Sequence, residues 1–124
     1  MRIYKVECNN TRFEFICESR NTRHGFAHDC NLFINDSREQ TAHCYYLNRT
    51  WECWQYQTVC LSAINAEMEW YSNRTLEAWK RENEYNRMTK ARRILFDQYL
   101  KELPYFKTLT ACKEQLTGYK MIGG

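Results

Sequence analysis

Asn48-Arg49-Thr50-Trp51-Glu52 is the stretch at which the hydrophobic period of the chain changes from two to between three and four. Thr50 suits a helix N-cap, and Glu52 places a negative charge in the first turn, where the helix dipole favours it. Everything before this stretch reads as strand and everything after it as helix. The fold class follows: α+β, an N-terminal antiparallel sheet over residues 2–48 followed by two or three C-terminal helices over residues 50–117, in one domain spanning 1–124.

Working toward the N-terminus, Ile3, Lys5 and Glu7 alternate with Tyr4, Val6 and Cys8. Beyond Asn9-Asn10-Thr11, Phe13, Phe15 and Cys17 oppose Arg12, Glu14 and Glu18, the pattern of a hairpin with one buried face. After a polar connection, Phe26, His28, Cys30, Leu32 and Ile34 share one side of a third strand, Asn35-Asp36-Ser37 turns, and Thr41 through Leu47 supplies a fourth, giving a meander.

Toward the C-terminus, Trp54, Leu61, Ile64, Met68 and Tyr71 recur at helical spacing, and no Gly or Pro intervenes before Tyr85. The predicted helix runs to about 85, with a possible break near Asn73. It outreaches a sheet whose strands span roughly 20 Å, so its distal half must pack on something else. Thr89 announces a second helix over Lys90–Leu103, with Ile94, Leu95, Tyr99 and Leu103 on one stripe. Pro104 either ends it, leaving a third helix over Tyr105–Thr117, or kinks one continuous helix.

The composition fits this layout. In 124 residues, 44% are hydrophobic and nineteen are aromatic, with four glycines and one proline, which excludes disordered and low-complexity classes. Eighteen basic against fifteen acidic side chains give a net charge of +3, too balanced for a DNA mimic and too weak for a nonspecific duplex binder, so an anion site must be local. Seven cysteines suggest a disulfide framework only for a secreted chain, whereas Met1-Arg2-Ile3-Tyr4-Lys5 leads straight into strand pattern. The thiol count is odd and no stretch is apolar enough to span a membrane, so free thiols in a reducing cytosol are expected. The sequons at Asn9, Asn35, Asn48 and Asn73 are then incidental.

Metal and catalytic signals are thin. Cys17, His28, Cys30, His43 and Cys44 are ligand types, but no C-x-x-C spacing sets two of them on one turn, and no metal or cofactor is expected. Strand cysteines read instead as small hydrophobes. His28 and Asp29 are adjacent in a strand and point to opposite faces, so they form no catalytic pair, and Gly-rich phosphate loops and nucleophile elbows are missing. The chain is not expected to be an enzyme.

Three stretches suit a phosphorylated ligand. In Arg20-Asn21-Thr22-Arg23-His24-Gly25-Phe26, guanidinium and imidazole groups surround a glycine beside an aromatic ring, matching phosphate oxygens and a base. An ordinary solvated strand connection explains it equally well. Around Thr89, Arg87, Lys90, Arg92 and Arg93 crowd a helix N-terminus whose dipole they oppose, at a combined cost on the order of 1 kcal/mol that a bound phosphate offsets. The plain alternative is a screened surface near Glu82 and Glu84. At Asn48-Arg49-Thr50, flanked by Tyr45, Tyr46, Trp51 and Trp54, amide and aromatic groups suit a nucleobase, though capping and core packing account for the same residues.

Thr22-Arg23-His24-Gly25-Phe26-Ala27-His28-Asp29-Cys30, Tyr46-Leu47-Asn48-Arg49-Thr50-Trp51-Glu52 and Arg87-Met88-Thr89-Lys90 resemble the phage Thoeris anti-defence family, small proteins of phages and mobile elements of Firmicutes that sequester TIR-generated cyclic ADP-ribose signals. The likeness in layout covers nearly the whole chain. It implies a non-enzymatic sponge for glycocyclic ADP-ribose in the cytoplasm of an infected bacterium, an oligomer built on dimers whose helices pack reciprocally. The ligand residues expected from chemistry at these motif-like positions are Arg20, Arg23, His24, Phe26, Asn48, Arg49, Arg87, Thr89, Lys90 and Arg92. A pocket between one subunit's sheet and its partner's helices unites them in this reading, with no nucleic acid or membrane as partner. The alternative is a protein-binding inhibitor of a bacterial nuclease, anti-CRISPR-like, working through an aromatic surface. RNA binding, with steep salt dependence, is the weakest reading.

Overall fold

The structure, a computed structural model, describes residues 1–23, 25–35, 42–48 and 54–118, with the backbone alone for 22, 25, 26, 42–48 and 54–56. Four strands, β1 (Arg2–Cys8), β2 (Thr11–Thr22), β3 (Gly25–Ile34) and β4 (Ala42–Asn48), form an antiparallel meander in the order β1-β2-β3-β4. Asn9 and Asn10 take positive φ of 50° and 63°, the conformation that a two-residue hairpin turn demands and that Asn tolerates. Asn35 (φ 53°) serves the second sheet end, its side-chain carbonyl accepting from the Arg12 backbone N–H at 2.9 Å.

Alternation puts Tyr4, Val6, Cys8, Phe13, Phe15, Cys17, Cys30 and Leu32 on the face that the helices cover. Lys5, Glu7, Arg12, Glu18 and Arg20 are exposed on the opposite set. The helical part comprises α1 (Trp54–Glu82), α2 (Lys90–Glu102) and α3 (Pro104–Gly118). Val59, Cys60, Ala63 and Ile64 of α1 and Leu109, Cys112 and Leu116 of α3 complete the core. Each large apolar side chain sealed there contributes roughly 1.5–3 kcal/mol by leaving water. No helix among the described residues is long and apolar enough to cross a membrane.

The 29 residues of α1 extend about 40 Å at ~1.5 Å per residue, with no break at Asn73. Its first half crosses the sheet. Its second half packs on α2 through Trp79 and Phe96, whose rings lie 5.4 Å apart, which is where the expected surplus of helix goes. The helix stops at Glu82, slightly short of the expected 85, although no glycine marks the end. Glu84 adopts φ 57°, Tyr85 N–H donates to the Lys80 carbonyl at 2.9 Å and Glu84 N–H to that of Arg81 at 3.2 Å, a Schellman arrangement on a non-glycine residue.

Thr89 caps α2, its hydroxyl accepting from Arg92 N–H at 3.2 Å. Pro104 divides α2 from α3 and does not merely kink them. Leu103 is extended (φ −73°, ψ 131°), as the residue before proline prefers, and Pro104 opens α3 where its missing N–H costs nothing. The expected α2 stripe is corrected: Phe96 and Leu100 face inward, whereas Ile94 (56%), Leu95 (52%) and Tyr99 (40%) are exposed. The α2 contact surface is set by Trp79, whose bulk captures Phe96 and so turns the neighbouring aliphatic residues outward. The expected Thr50 cap lies outside the described residues.

Candidate functional site

The β2–β3 hairpin and the end of β4 meet at one end of the sheet. Phe26 pairs in register with Asn21 on one side and Asn48 on the other, so two of the expected ligand positions are direct cross-strand neighbours. Arg20 stands one residue out of phase with Asn21 and belongs to the opposite face. There its guanidinium lies 3.8 Å from the Asp29 carboxylate while remaining largely exposed. Arg23 is exposed in the turn; His24 and Arg49 lie outside the described residues.

The second group collects around the α1–α2 junction. Arg92 is held in place by its neighbours: its guanidinium sits 4.0 Å over the Tyr85 ring and donates to the Arg87 carbonyl at 2.9 Å. Thr89 is occupied as the cap. Arg87 and Lys90 are exposed, and the first turn of α2 carries no acidic residue, although Arg93 pairs one turn on with Asp97 at 3.3 Å. Tyr85 packs edge-on against Trp79 at 5.3 Å, and Trp79 in turn walls a cleft of about 290 Å³ between α1 and α2, with Tyr71, Arg74, Thr75, Glu82 and Tyr99. Aromatic walls with one guanidinium and one carboxylate are suited to stacking a ring and engaging its polar edge. The sequence carries no signal for this cleft, because its walls come from two helices that only packing brings side by side.

Among the described residues these two groups do not meet within one chain. The α1 helix starts near the Phe26/Asn48 end, lays Cys60 against the middle of the sheet, reaches Tyr105 through Glu67, and continues beyond. Meanwhile α3 returns from Thr108, bonded to Asn9 at the far hairpin, to Leu116, whose carbonyl accepts from Gln57 of α1 at 2.7 Å. The α2 N-terminus therefore lies most of the length of α1 from the β2–β3 turn.

Two buried polar features remain. Tyr105 donates to Glu67 Oε1 at 2.8 Å, and burial pushes the Glu67 carboxyl above its ordinary range although that bond opposes the shift. His28 Nδ1 lies 2.8 Å from Ser19 Oγ, but the imidazole is wholly buried, which keeps this serine–histidine pair from any substrate. The cysteines are where structure adds most to sequence. Cys17, Cys30 and Cys60, from β2, β3 and α1, bring their sulfurs within 4.8 Å of one another, with Cys17 Sγ and Cys60 Sγ 3.5 Å apart. Hydrogen bonds from Cys30 and Cys60 hold the Cys17 thiol below its ordinary pKa, and the same interaction pushes Cys60 up. Cys60 was outside the ligand set read from sequence, since a helix residue 43 positions away carries no spacing signal toward Cys17. No protein-family model, curated protein or solved structure matches the chain.

Proposed function

We propose that the chain is a non-enzymatic sponge that binds a cyclic ADP-ribose isomer, glycocyclic ADP-ribose, and so blocks Thoeris defence in the cytoplasm of a phage-infected bacterium. It acts as a homo-oligomer in which the α2 N-terminus of one copy faces the β2–β3 end of another. The observation that carries this reading is the basic, acid-free first turn of α2, with Arg87 and Lys90 exposed beside an aromatic cleft. Exposed cations at a helix N-terminus are mutually unfavourable, and a pyrophosphate there removes the cost. The exposed Ile94, Leu95 and Tyr99 stripe gives a second copy an apolar surface to cover. Such an assembly shortens the separation between the two groups, which a single chain keeps far apart.

In this arrangement Arg23 and Arg87 take the phosphates, Trp79 or Phe26 stacks on adenine, and the Asn48 amide engages the ribose or base edge. Sequestration requires tight binding and no turnover, so no general acid or base is assigned. Calorimetry with cyclic ADP-ribose isomers tests the reading: saturable binding at micromolar protein is expected, with Arg87→Ala and Arg23→Ala each weakening it at least tenfold and the ligand recovered intact by mass spectrometry. The absence of binding refutes it, and a chemically altered ligand replaces the sponge with an enzyme. The same apolar stripe, with Trp70 54% exposed, favours a second reading as a protein-binding nuclease inhibitor. Size exclusion separates the two, since an inhibitor of that kind ignores small nucleotides.

A further inference from the structure

Three thiols from three separate elements converge in the core. Cys17 and Cys30 are direct cross-strand partners in β2 and β3, and the register continues to Cys44 of β4 opposite Cys30. One helix turn of α1 lays Cys60 onto this row, closing the Cys17–Cys60 sulfur separation to 3.5 Å. All three sulfurs of Cys17, Cys30 and Cys60 fall within 4.8 Å of one another, and the three residues are 0% exposed.

Packing alone does not require this convergence. Cys8 and Cys112 form a separate pair of neighbouring buried thiols in the same core, which packing as small hydrophobes explains; a third sulfur brought onto a pair from a third element goes beyond that. Ligation does require it. A zinc ion binding thiolates at about 2.3 Å sets tetrahedral sulfurs about 3.8 Å apart, so the Cys17–Cys60 pair needs to open by only a few tenths of an ångström. Thiolates select zinc over the hard cations magnesium and calcium.

We propose that Cys17, Cys30 and Cys60 form a buried thiolate site for one zinc ion, which ties α1 to the two central strands. Each bond replaces an S–H by S–Zn and releases its proton to solvent; no electrons are transferred and no oxidant enters. Cys44 holds the register position opposite Cys30 on β4. Because Cys17 and Cys30 already pair across the β2–β3 hairpin while Cys60 lies on a helix that follows β4, the ion closes the one long loop from β3 to α1 and holds the sheet–helix interface in the folded state.

The reduced, chelator-stripped full chain is titrated anaerobically with zinc and, separately, with cobalt(II). The expected result is uptake of a single equivalent, a thiolate-to-cobalt charge-transfer band with the strong visible bands of a tetrahedral site, and a rise in thermal midpoint with zinc. Cys60→Ser abolishes the charge-transfer band, whereas Cys112→Ser, a buried thiol outside the trio, keeps it. Alkylation mapping of the wild-type chain in enough urea to expose the thiols of the metal-free protein gives a readout that needs no variant: zinc slows modification of Cys17, Cys30 and Cys60 together. No uptake by the reduced wild-type chain at micromolar free metal overturns the proposal. So does a cobalt spectrum without thiolate charge transfer, or a folded Cys60→Ser chain that binds as wild type.

Discussion

Tyr105→Phe deletes one oxygen from a buried pair and produces a loss whose size depends on pH. Glu67 is 3% exposed, and its carboxylate accepts the Tyr105 hydroxyl at 2.8 Å. A hydrogen bond to a charged group is worth about 1.5–3 kcal/mol, against about 0.5–1.5 kcal/mol for a neutral one. Burial raises the folded-state pKa of Glu67, so the native state binds more protons than the unfolded state in the window just above the ordinary carboxylate value. Stability is therefore greatest below the unfolded pKa and falls as pH rises through the folded one. Removing the hydroxyl lifts the folded pKa further and deepens that fall. Tyr105 itself stays protonated throughout, because burial and the Glu67 carboxylate push its pKa upward. Urea unfolding followed by tryptophan fluorescence is the assay. The Tyr105→Phe loss should be about 1 kcal/mol near pH 4 and about 2 kcal/mol or more near pH 8. In a Glu67→Gln background the same substitution should cost a constant ~1 kcal/mol at both ends. A wild-type-background loss that is flat, or larger in acid, refutes the assignment.

Two smaller changes test the helix ends. Glu84→Gly relieves a left-handed residue (φ 57°) at the end of α1, so it should raise stability by up to about 1 kcal/mol, read as a higher urea midpoint at unchanged slope. A decrease would show that Glu84 makes a compensating interaction. Thr89→Ala removes the α2 cap and should cost about 1 kcal/mol, with Thr89→Ser restoring most of it. If Thr89→Ala left stability intact while abolishing nucleotide binding, Thr89 would be a ligand residue first and a cap second.

The α1–α2 junction shows why candidate residues are easier to find than to group. Arg92 and Thr89 were chosen for positive charge and position; in the fold Arg92 is tied to Tyr85 and the Arg87 carbonyl, and Thr89 to the helix end, so local contacts already account for both. Arg87 and Lys90 keep the exposure a ligand needs. Arg20 and Phe26 were read as one loop, but strand alternation sends Arg20 to the face opposite the register position of Asn21 and Phe26.

Strand phase, the two-asparagine turn and the α2 cap were set by the sequence alone, because each depends on a residue's own backbone preference or on neighbours within a few positions; that Pro104 divides two helices instead of kinking one was decided by the fold, since proline permits both. The end of α1 at Glu82 had no such signature, since its closing motif is built on an exposed glutamate in a left-handed conformation, with backbone hydrogen bonds to Arg81 and Lys80, where a glycine would have marked the stop. The outward turn of Ile94, Leu95 and Tyr99, the cleft beside Trp79 and the meeting of Cys17, Cys30 and Cys60 were likewise decided only in three dimensions. Periodicity states that a helix has a buried face; which residues meet across it depends on how one element is rotated and slid against another, and that is fixed by side-chain packing between segments far apart in the chain.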